Sequence, residues 1–287
     1  MKEQNYLDCL VGVFGHPAAE NPGVVIQEAA FADMGLKLWR FLTIDVAPDA
    51  LEDAIKGLKA FKMKGINCTI PHKLRALEYL DEISESAKLI GAVNMIVNND
   101  GKLYGENTDG KGFMMSLKNS GIDPKSKKVV VLGAGGASRA ICVELALAGT
   151  KHITVVNRPE DKELAESLMK VLKDLDTEAV YAEWSGKYNV PEGTDILVNA
   201  TSIGLYPNVN ELPNINYDTI TKNMFVQDVI PNPAVTPFLC EAEKRGAKWQ
   251  TGVGMLINQA GINIEMWTGK KPNKEVMFAA YKKAVGC

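Results

Sequence analysis

Two polar turns in the first half of the chain carry side chains that could transfer a proton. The first holds Lys73 and follows a strand predicted at Ile66–Thr69, whereas the second holds Asp109 within the segment 105–110. When a Lys and an Asp meet in a cleft, the carboxylate can orient the ammonium, which passes a proton to or from an oxygen. Because either residue alone is more often an ordinary surface residue, the pair is at this point a hypothesis of acid–base catalysis.

A glycine cluster, Gly133-Ala134-Gly135-Gly136-Ala137, lies between an apolar run and an alanine-rich helical pattern. Gly133 would permit a tight turn and Gly135 the close approach of a pyrophosphate, which the free N–H groups at the start of the next helix would bind. Ser138 stands at the third glycine position of G-x-G-x-x-G, so an ordinary strand–turn–helix is the alternative. The strand before and the helix after the cluster favour a dinucleotide.

The residues after the next predicted strand indicate which dinucleotide would bind. In such folds an acidic residue there favours NAD, and a basic one accommodates the 2′-phosphate of NADP. Here Asn157 and Arg158 follow the strand, and the guanidinium could hold that phosphate. Glu160 and Asp161 would repel it, unless they only cap the next helix. We expect NADP, with NAD or dual use as the alternative.

Short β-like runs alternate with amphipathic helical stretches, a pattern typical of an α/β fold with parallel sheets. In the first half we predict strands at Leu10–Phe14, Leu38–Ile44 and Ile66–Thr69, helices at Val24–Met34 and Ala50–Met63, and a hairpin of Asn94–Asn98 with Lys102–Tyr104. The Asp100-Gly101 pair between the two hairpin runs favours a tight turn.

From residue 128 onward the pattern is strand–helix–strand, which predicts a Rossmann-like domain from about Gly110 to Gly252. The predicted strands are Lys128–Leu132, His152–Val156, Ala179–Glu183, Asp195–Val198 and Phe225–Val229. The predicted helices are Ala137–Ala148, Asp161–Asp174, Ala234–Arg245, Met255–Trp267 and Lys274–Ala284. The pattern alone does not assign the last two helices to either domain.

The composition excludes several classes of function. The chain has 287 residues, of which 46% are hydrophobic and 23% charged, as in globular proteins long enough for two domains. A formal net charge of −3 gives no electrostatic case for nucleic acid or an anionic membrane. The 5 cysteines lack metal or disulfide spacing, which predicts reduced thiols, no metal and a cytoplasmic protein. We see no signal peptide, and no apolar run approaches the roughly 20 residues of a membrane span.

The order of the motifs resembles the shikimate dehydrogenase family over nearly the whole chain. The matching segments are Asn67-Cys68-Thr69-Ile70-Pro71-His72-Lys73, Gly91-Ala92-Val93-Asn94, Asn107-Thr108-Asp109-Gly110, the glycine cluster with Ser138, Asn157-Arg158, Asn199-Ala200-Thr201-Ser202-Ile203-Gly204, Asn232-Pro233, Gly254-Met255-Leu256, Gln259-Ala260 and Trp267-Thr268-Gly269. The Lys73 turn and the Asn-Thr-Asp-Gly turn are together hard to obtain by chance.

The resemblance implies a fold and a reaction. An N-terminal α/β substrate domain, residues 1–109 completed by 253–287, would be separated by a cleft from a Rossmann-like domain at 110–252. The reaction would be the reversible reduction of 3-dehydroshikimate to shikimate, or of a similar keto acid, with a nicotinamide hydride. A small-molecule substrate and a monomer or homodimer are expected.

The resemblance also implies roles for individual residues. Lys73 would give the proton to the carbonyl oxygen with Asp109 as its partner, while the hydride is the cofactor's own chemistry. The residues expected to bind substrate are Asn21, Thr69, Asn94 and Gln259, with Asp109 also near the ring hydroxyls. The residues expected to bind the dinucleotide are Gly133, Ala134, Gly135, Gly136, Ala137, Asn157, Arg158, Thr201 and Gly252.

Two departures from the family pattern surround the expected substrate. The family holds a substrate carboxylate with a Ser-x-Ser pair, and a gap-free alignment places Asn21 and Gly23 there, beside Glu20. An inward Glu20 would repel a carboxylate by roughly 4 kcal/mol at about 4 Å and an effective dielectric of about 20, more than one hydrogen bond of about 1 kcal/mol. Pro231 replaces a Tyr of many relatives and removes its phenol. We expect retained hydride chemistry with altered substrate recognition.

Three alternatives stay open. The chain could be a paralogue that oxidises quinate or another polyol. It could instead be a nucleotide-responsive regulator that kept the fold and lost efficient catalysis, since the carboxylate-binding residues are changed. A different Rossmann enzyme, such as a methylene-tetrahydrofolate dehydrogenase, is disfavoured by the Lys73 turn and the Gln259 segment.

Overall fold

The computed structural model describes residues 6–19 and 21–286. These residues form two compact units. One runs up to Thr108 and takes in the chain from Ile257 onward, and the other is Asp109–Leu256. Both units combine helices with a β-sheet, so the predicted α/β class is confirmed.

The strands and helices of the described residues are as follows. The strands are β1 Cys9–Gly15, β2 Trp39–Asp45, β3 Gly65–Cys68, β4 Glu82–Ile83, β5 Met95–Asn99, β6 Lys102–Glu106, β7 Lys128–Leu132, β8 His152–Asn157, β9 Glu178–Glu183, β10 Ile196–Asn199, β11 Phe225–Asp228 and β12 Lys248–Gln250. The α-helices are α1 Gly23–Asp33, α2 Leu51–Ala60, α3 Glu85–Ile90, α4 Asp109–Asn119, α5 Gly136–Leu147, α6 Lys162–Asp174, α7 Pro237–Lys244, α8 Val253–Thr268 and α9 Lys274–Val285.

The sheet of the first unit is mixed, not purely parallel as predicted. Its strand order is β2-β1-β3-β5-β6-β4, and β5 runs antiparallel to both β3 and β6. The tight turn between β5 and β6, where Asp100 and Gly101 have φ angles of 51° and 96°, makes these two strands antiparallel. Asn98 stabilises the turn because its Oδ1 accepts the N–H of Gly101 at 2.7 Å. The predicted hairpin is confirmed.

The core of the first unit follows from the spacing of apolar residues. Leu51, Ile55 and Leu58 recur at helical spacing on α2 and are at most 3% exposed. They pack with Ile66 of β3 and Leu103 of β6 in one cluster. Each fully buried side chain of this kind stabilises the fold by about 1.5–3 kcal/mol.

The second unit contains a parallel sheet in the order β12-β11-β10-β7-β8-β9. The central strand β7 matches its predicted bounds, and Val129, Val130, Val131 and Leu132 are all buried, as expected for a strand covered on both faces. Because β7 continues to β8 on one side and pairs with β10 on the other, the strand order reverses between β7 and β10. Doubly wound sheets bind ligands beyond the carboxyl ends of strands at such a point.

Several predicted element bounds were wrong for local reasons. The helix predicted to reach Met63 ends at Ala60, because Lys62 adopts a left-handed φ of 52°. The helix predicted from Ala234 begins at Pro237, with Thr236 as its N-cap. The sequence reading missed α4, because the two glycines of this helix, Gly110 and Gly112, lower its helix propensity. Across the described ranges, no helix has the length and apolarity needed to cross a membrane.

Candidate dinucleotide cavity and substrate-binding residues

A cavity of about 550 Å³ lies in the second unit, beyond the carboxyl ends of its strands. The predicted cofactor residues that line it are Gly133, Ala134, Gly135, Asn157, Arg158 and Thr201. The other lining residues are Asp161, Leu164, Trp184, Ser185, Gly186, Ala200, Ser202, Ile203, Leu212 and Asn214. The cavity therefore brings together residues from turns that are far apart in sequence.

The glycine turn at the start of α5 leaves room for a phosphate group. Gly133 has a φ of +99°, and a Cβ there would lie 3.0 Å from the Cγ2 of Thr201. A Cβ on Gly135 would meet no heavy atom within 4 Å, and Gly135 offers α5 no side-chain cap. No side-chain cap therefore competes with an anion for the first N–H groups of α5.

Ser138, the departure from the glycine pattern, has a structural role. It is buried, and its Oγ donates to the carbonyl oxygen of Gly133 at 2.6 Å. This bond ties the turn to the first turn of α5. Gly136 and Ala137 also lie in that helical turn but do not line the cavity. The shape of the turn and its donors fit a dinucleotide pyrophosphate.

The far end of the cavity carries Arg158, which is paired with Asp161 through its Nη2. This hydrogen bond raises the pKa of Arg158 above its ordinary value. Asp161 occupies the N-cap position of α6, yet its carboxylate makes no capping hydrogen bond, which disfavours the alternative that this residue only caps the helix. Nearby, the backbone N–H of Trp184 donates to Asn157 O, and its Nε1 donates to Asn214 O, both at 2.9 Å.

A buried hydrogen-bond network fixes the position of Thr201 in the cavity wall. The Oγ1 of Thr201 donates to Asn199 Oδ1 at 2.7 Å, and Asn199 Nδ2 donates to the Asp228 carboxylate at 3.2 Å. Asp228 also accepts from Thr236 Oγ1 at 2.7 Å and from Ile230 N–H at 3.0 Å. Burial outweighs these bonds and raises the pKa of Asp228 to about 6.

Two other predicted residues of this region have local structural explanations. A Cβ on Gly252 would lie 2.3 Å from Val229 O, so the close approach of two backbone segments requires glycine there. Gly252 does not line the cavity, and its role toward a cofactor stays a prediction. Asp109 is the first residue of α4, where sequence reading placed a turn.

In the first unit, predicted substrate residues form one hydrogen-bonded group. Asn94 is 3% exposed; its Oδ1 accepts Thr108 N–H at 2.7 Å and its Nδ2 donates to Gln259 Oε1 at 3.5 Å. Asn263, which sequence reasoning missed, donates to Gln259 Oε1 at 3.1 Å and accepts from Thr108 Oγ1 at 2.7 Å. These hydrogen bonds connect Gln259 and Asn263 of α8 with Thr108, which lies just after β6.

Lys73 lies in a half-buried turn after β3. Its carbonyl oxygen accepts the N–H of Val93 at 2.9 Å, which pins the turn to the segment before β5. Burial raises the pKa of the neighbouring Cys68 to about 12, and the charge of Lys73 opposes that shift. Asn67 Nδ2 donates to Asn94 O at 3.3 Å, whereas its buried Oδ1 has no hydrogen-bond partner among the described residues.

The neighbours of Lys73 are held by the backbone. Thr69 is half-buried, its N–H donates to Phe14 O at 3.0 Å, and its Cγ2 would lie 2.5 Å from a Cβ on Gly15. His72 is 1% exposed, with Nε2 hydrogen-bonded to Val46 O at 2.7 Å. His72 therefore packs in the core, and the role of Thr69 toward a substrate stays a prediction.

The segment at the expected carboxylate-binding position begins α1. The Oδ1 of Asn21 accepts the N–H of Gly23 at 2.8 Å. His16 Nδ1 lies 2.7 Å from Asp45 Oδ1, and this hydrogen bond lowers the pKa of Asp45. Glu20, whose orientation decides its effect on a carboxylate, lies outside the described residues.

Comparison with known proteins places these features in one family. Residues 13–96 match the model of the shikimate dehydrogenase substrate binding domain. Residues 116–219 match that of shikimate / quinate 5-dehydrogenase, and residues 252–280 that of the shikimate 5'-dehydrogenase C-terminal domain. A shikimate dehydrogenase (NADP(+)) of Methanocaldococcus jannaschii is 42% identical, over 93% of this chain and 94% of the relative.

The chain belongs to the shikimate dehydrogenase family.

Solved structures of relatives extend this comparison. A shikimate dehydrogenase in complex with NADP+ is 38% identical, with a TM-score of 0.89, and the match covers 97% of this chain and 96% of that one. The ligand-free 5-ketofructose reductase of Gluconobacter sp. strain CHM43 is 46% identical, with a TM-score of 0.91, and the match covers 98% and 100%. This chain is thus similar to solved proteins named for more than one substrate, and the predicted resemblance to the shikimate dehydrogenase family is confirmed.

Sequence reasoning missed several residues that line the cavity of this protein. Trp184 directly follows β9, and Asn214 lies in a loop before β11. The rule that ligands bind beyond the carboxyl ends of parallel strands could have identified Trp184. Nothing local marks Asn214, because it reaches the cavity through a hydrogen bond to a residue 30 positions away.

Proposed function

We propose that this member of the shikimate dehydrogenase family is an NADP-dependent oxidoreductase that interconverts a ketone and a secondary alcohol on a small polyhydroxylated substrate. The observation that carries the proposal is the cavity lined by both the glycine turn and Arg158. Two relatives that are 39% and 42% identical to this chain are named as NADP(+) enzymes. When bound, the nicotinamide supplies the hydride.

The cofactor would be held by groups of different chemistry. Gly133 and Gly135 leave room for the pyrophosphate, and the first N–H groups of α5 donate to it. Arg158 would bind the adenosine 2′-phosphate, because a guanidinium matches phosphate geometry. Thr201, fixed by Asn199, would line the path toward the nicotinamide.

Lys73 would move the proton. During reduction its ammonium donates a proton to the carbonyl oxygen, and in the oxidation direction the neutral amine takes the proton back from the alcohol. Asp109 would be the partner that orients the Lys73 side chain. A positioned acid of this kind contributes typically about 10²–10⁴-fold in rate.

The remaining polar residues of the first unit would orient the substrate. Asn94 and Gln259 already share a hydrogen bond and would hold ring or chain hydroxyls. Thr69 and Asn21 would contact the substrate at its other side.

Two substrate candidates share this chemistry. The first is 3-dehydroshikimate, the ketone of the reaction for which the shikimate dehydrogenase (NADP(+)) relatives are named. The second is a neutral keto sugar, as the name of the 5-ketofructose reductase relative indicates. Quinate-like polyols belong with the first candidate, because they too carry a carboxylate.

The start of α1 favours the neutral keto sugar. No hydroxyl stands at position 21 or 23, and the Gly23 N–H that a carboxylate could use is bonded to Asn21 Oδ1 at 2.8 Å. A carboxylate would therefore find neither the serine donors of the family nor this N–H. A neutral substrate needs no such site.

A substrate panel tests both levels of the proposal. The purified protein is assayed for NADPH oxidation with 3-dehydroshikimate and with 5-ketofructose, and for NADP+ reduction with shikimate, quinate and fructose. We expect kcat/KM to be highest for 5-ketofructose. Higher kcat/KM for 3-dehydroshikimate would reverse the choice of substrate, and NADPH binding without turnover on any ketone would favour a regulator.

A further inference from the structure

Arg158, the residue proposed to bind the 2′-phosphate, already has an anionic partner inside the same cavity. Its Nη2 is hydrogen-bonded to Asp161 Oδ2, and both residues line the cavity. The side chain of Arg158 is 68% exposed and that of Asp161 36% exposed, so both face solvent that a ligand would displace. A ligand phosphate at Arg158 would thus meet a fixed carboxylate.

The carboxylate of Asp161 has no structural duty in the helix that follows. Asp161 stands at the N-cap of α6, where its side chain would ordinarily accept a backbone N–H, but it makes no such bond. Its backbone oxygen, not its carboxylate, accepts the Nδ2 of Asn157 at 2.9 Å. The described contacts of the carboxylate therefore point to Arg158 and the cavity.

We propose that Asp161 is a specificity-determining residue that competes with the adenosine 2′-phosphate for Arg158 and so narrows the preference of this protein for NADP over NAD. The inference rests on the proposed function, that is, on this cavity binding a nicotinamide dinucleotide. The 2′-phosphate is repelled by the carboxylate and must replace it on the guanidinium. The 2′-hydroxyl of NAD instead donates a hydrogen bond to a carboxylate.

The other charges of this turn do not replace Asp161 in that role. Glu160 is exposed, does not line the cavity and acts on Arg158 only through its charge. The Nζ of Lys162 lies 3.4 Å from Oε1 of Glu166, so Lys162 has its own ion-pair partner one turn along α6. Glu160→Gln is consequently a matched control, since it removes one negative charge next to Asp161 without changing the pair with Arg158.

The test measures binding, apart from any catalysis. Calorimetric titrations of wild type, Asp161→Asn and Glu160→Gln use adenosine 2′,5′-bisphosphate and adenosine 5′-monophosphate, which differ only in the 2′-phosphate, and then NADP+ and NAD+. Asn is as good an N-cap as Asp, so the helix should be unaffected. For Asp161→Asn we expect about three- to tenfold tighter binding of the bisphosphate, with the gain shrinking at high salt.

The outcomes separate this inference from the proposed function. Tighter bisphosphate binding in Asp161→Asn, unchanged or weaker monophosphate binding, and less than about half that gain in Glu160→Gln support the competition. An unchanged ratio of the two affinities in Asp161→Asn, or an equal gain in Glu160→Gln, would overturn it while leaving the cofactor assignment intact. Failure of the wild type to bind NADP+ and NAD+ would overturn the proposed function and the inference together.

Discussion

Asp228 should make the stability of the protein depend on pH in a direction opposite to that of most carboxylates. It is 0% exposed, and burial raises its pKa from 3.8 to about 6. Between these values the folded state binds a proton more tightly than the unfolded state, so the free energy of unfolding falls as pH rises. The full difference corresponds to about 3 kcal/mol.

The variant Asp228→Asn isolates this effect. Asn does not titrate, so the contribution of position 228 becomes independent of pH, while other carboxylates act alike in both proteins. Of the full difference, about 1.4 kcal/mol falls between pH 5.0 and pH 7.5. Asn also loses acceptor capacity for Thr236 Oγ1 and Ile230 N–H, which costs about 1–3 kcal/mol at both pH values.

Urea unfolding of both proteins at pH 5.0 and pH 7.5 measures the effect. The stability advantage of wild type over Asp228→Asn should be about 1.4 kcal/mol larger at pH 5.0 than at pH 7.5. Thr236→Val serves as the control, because it removes a hydrogen bond that lowers the pKa of Asp228 and leaves the carboxyl in place. The stability advantage of wild type over Thr236→Val should therefore not be larger at pH 5.0 than at pH 7.5. An advantage of wild type over Asp228→Asn that is equal at the two pH values, or larger at pH 7.5, would contradict a raised pKa for Asp228.

Three further predictions concern glycines and the start of α1. Gly135→Val should abolish NADP+ binding in calorimetry and leave the melting temperature within a few degrees of wild type, because its Cβ enters open space; retained affinity would contradict the phosphate site. Gly110→Ala should destabilise the protein by about 1–3 kcal/mol in urea unfolding, because its Cβ would lie 2.4 Å from a backbone oxygen of α5, whereas Gly57→Ala inside α2 should stabilise it by about 0.5–1 kcal/mol. Loss of stability in both glycine variants alike would contradict this. Asn21→Ser with Gly23→Ser should raise kcat/KM for shikimate relative to fructose at least about tenfold, the equivalent of one charge-assisted hydrogen bond; an unchanged ratio would show that these positions do not select the substrate. The two changes belong together, because a Cβ on Gly23 would lie 2.8 Å from Asn21 Oδ1.

Much of the second unit could be predicted because its signals are local. The strand β7 has its predicted bounds, since an apolar run ends at a glycine turn. The helix α4 was missed because its stability comes from packing on α5, where Gly110 lets two backbones approach. Helix propensity is a local property of the residues in a segment, so it cannot indicate that contact.

The candidate site shows the same division. Arg158 could be predicted, because it directly follows a strand that the sequence marks clearly. Whether the carboxylate of Asp161 caps α6 or pairs with Arg158 could not be predicted, since its position in the sequence is compatible with both. Likewise, Asn263 joins Gln259 and Thr108 only after α8 packs in the first unit.

The most direct test of the proposed function is the turnover of Lys73→Met on the best ketone of the panel at saturating NADPH. Met keeps the length and apolar stem of Lys and removes the proton. We predict that kcat falls by about 10²–10⁴-fold, while the dissociation constant of NADPH measured by calorimetry stays at the wild-type value. A kcat for Lys73→Met that stays within the error of the wild-type value would contradict the assignment of Lys73 as the proton donor.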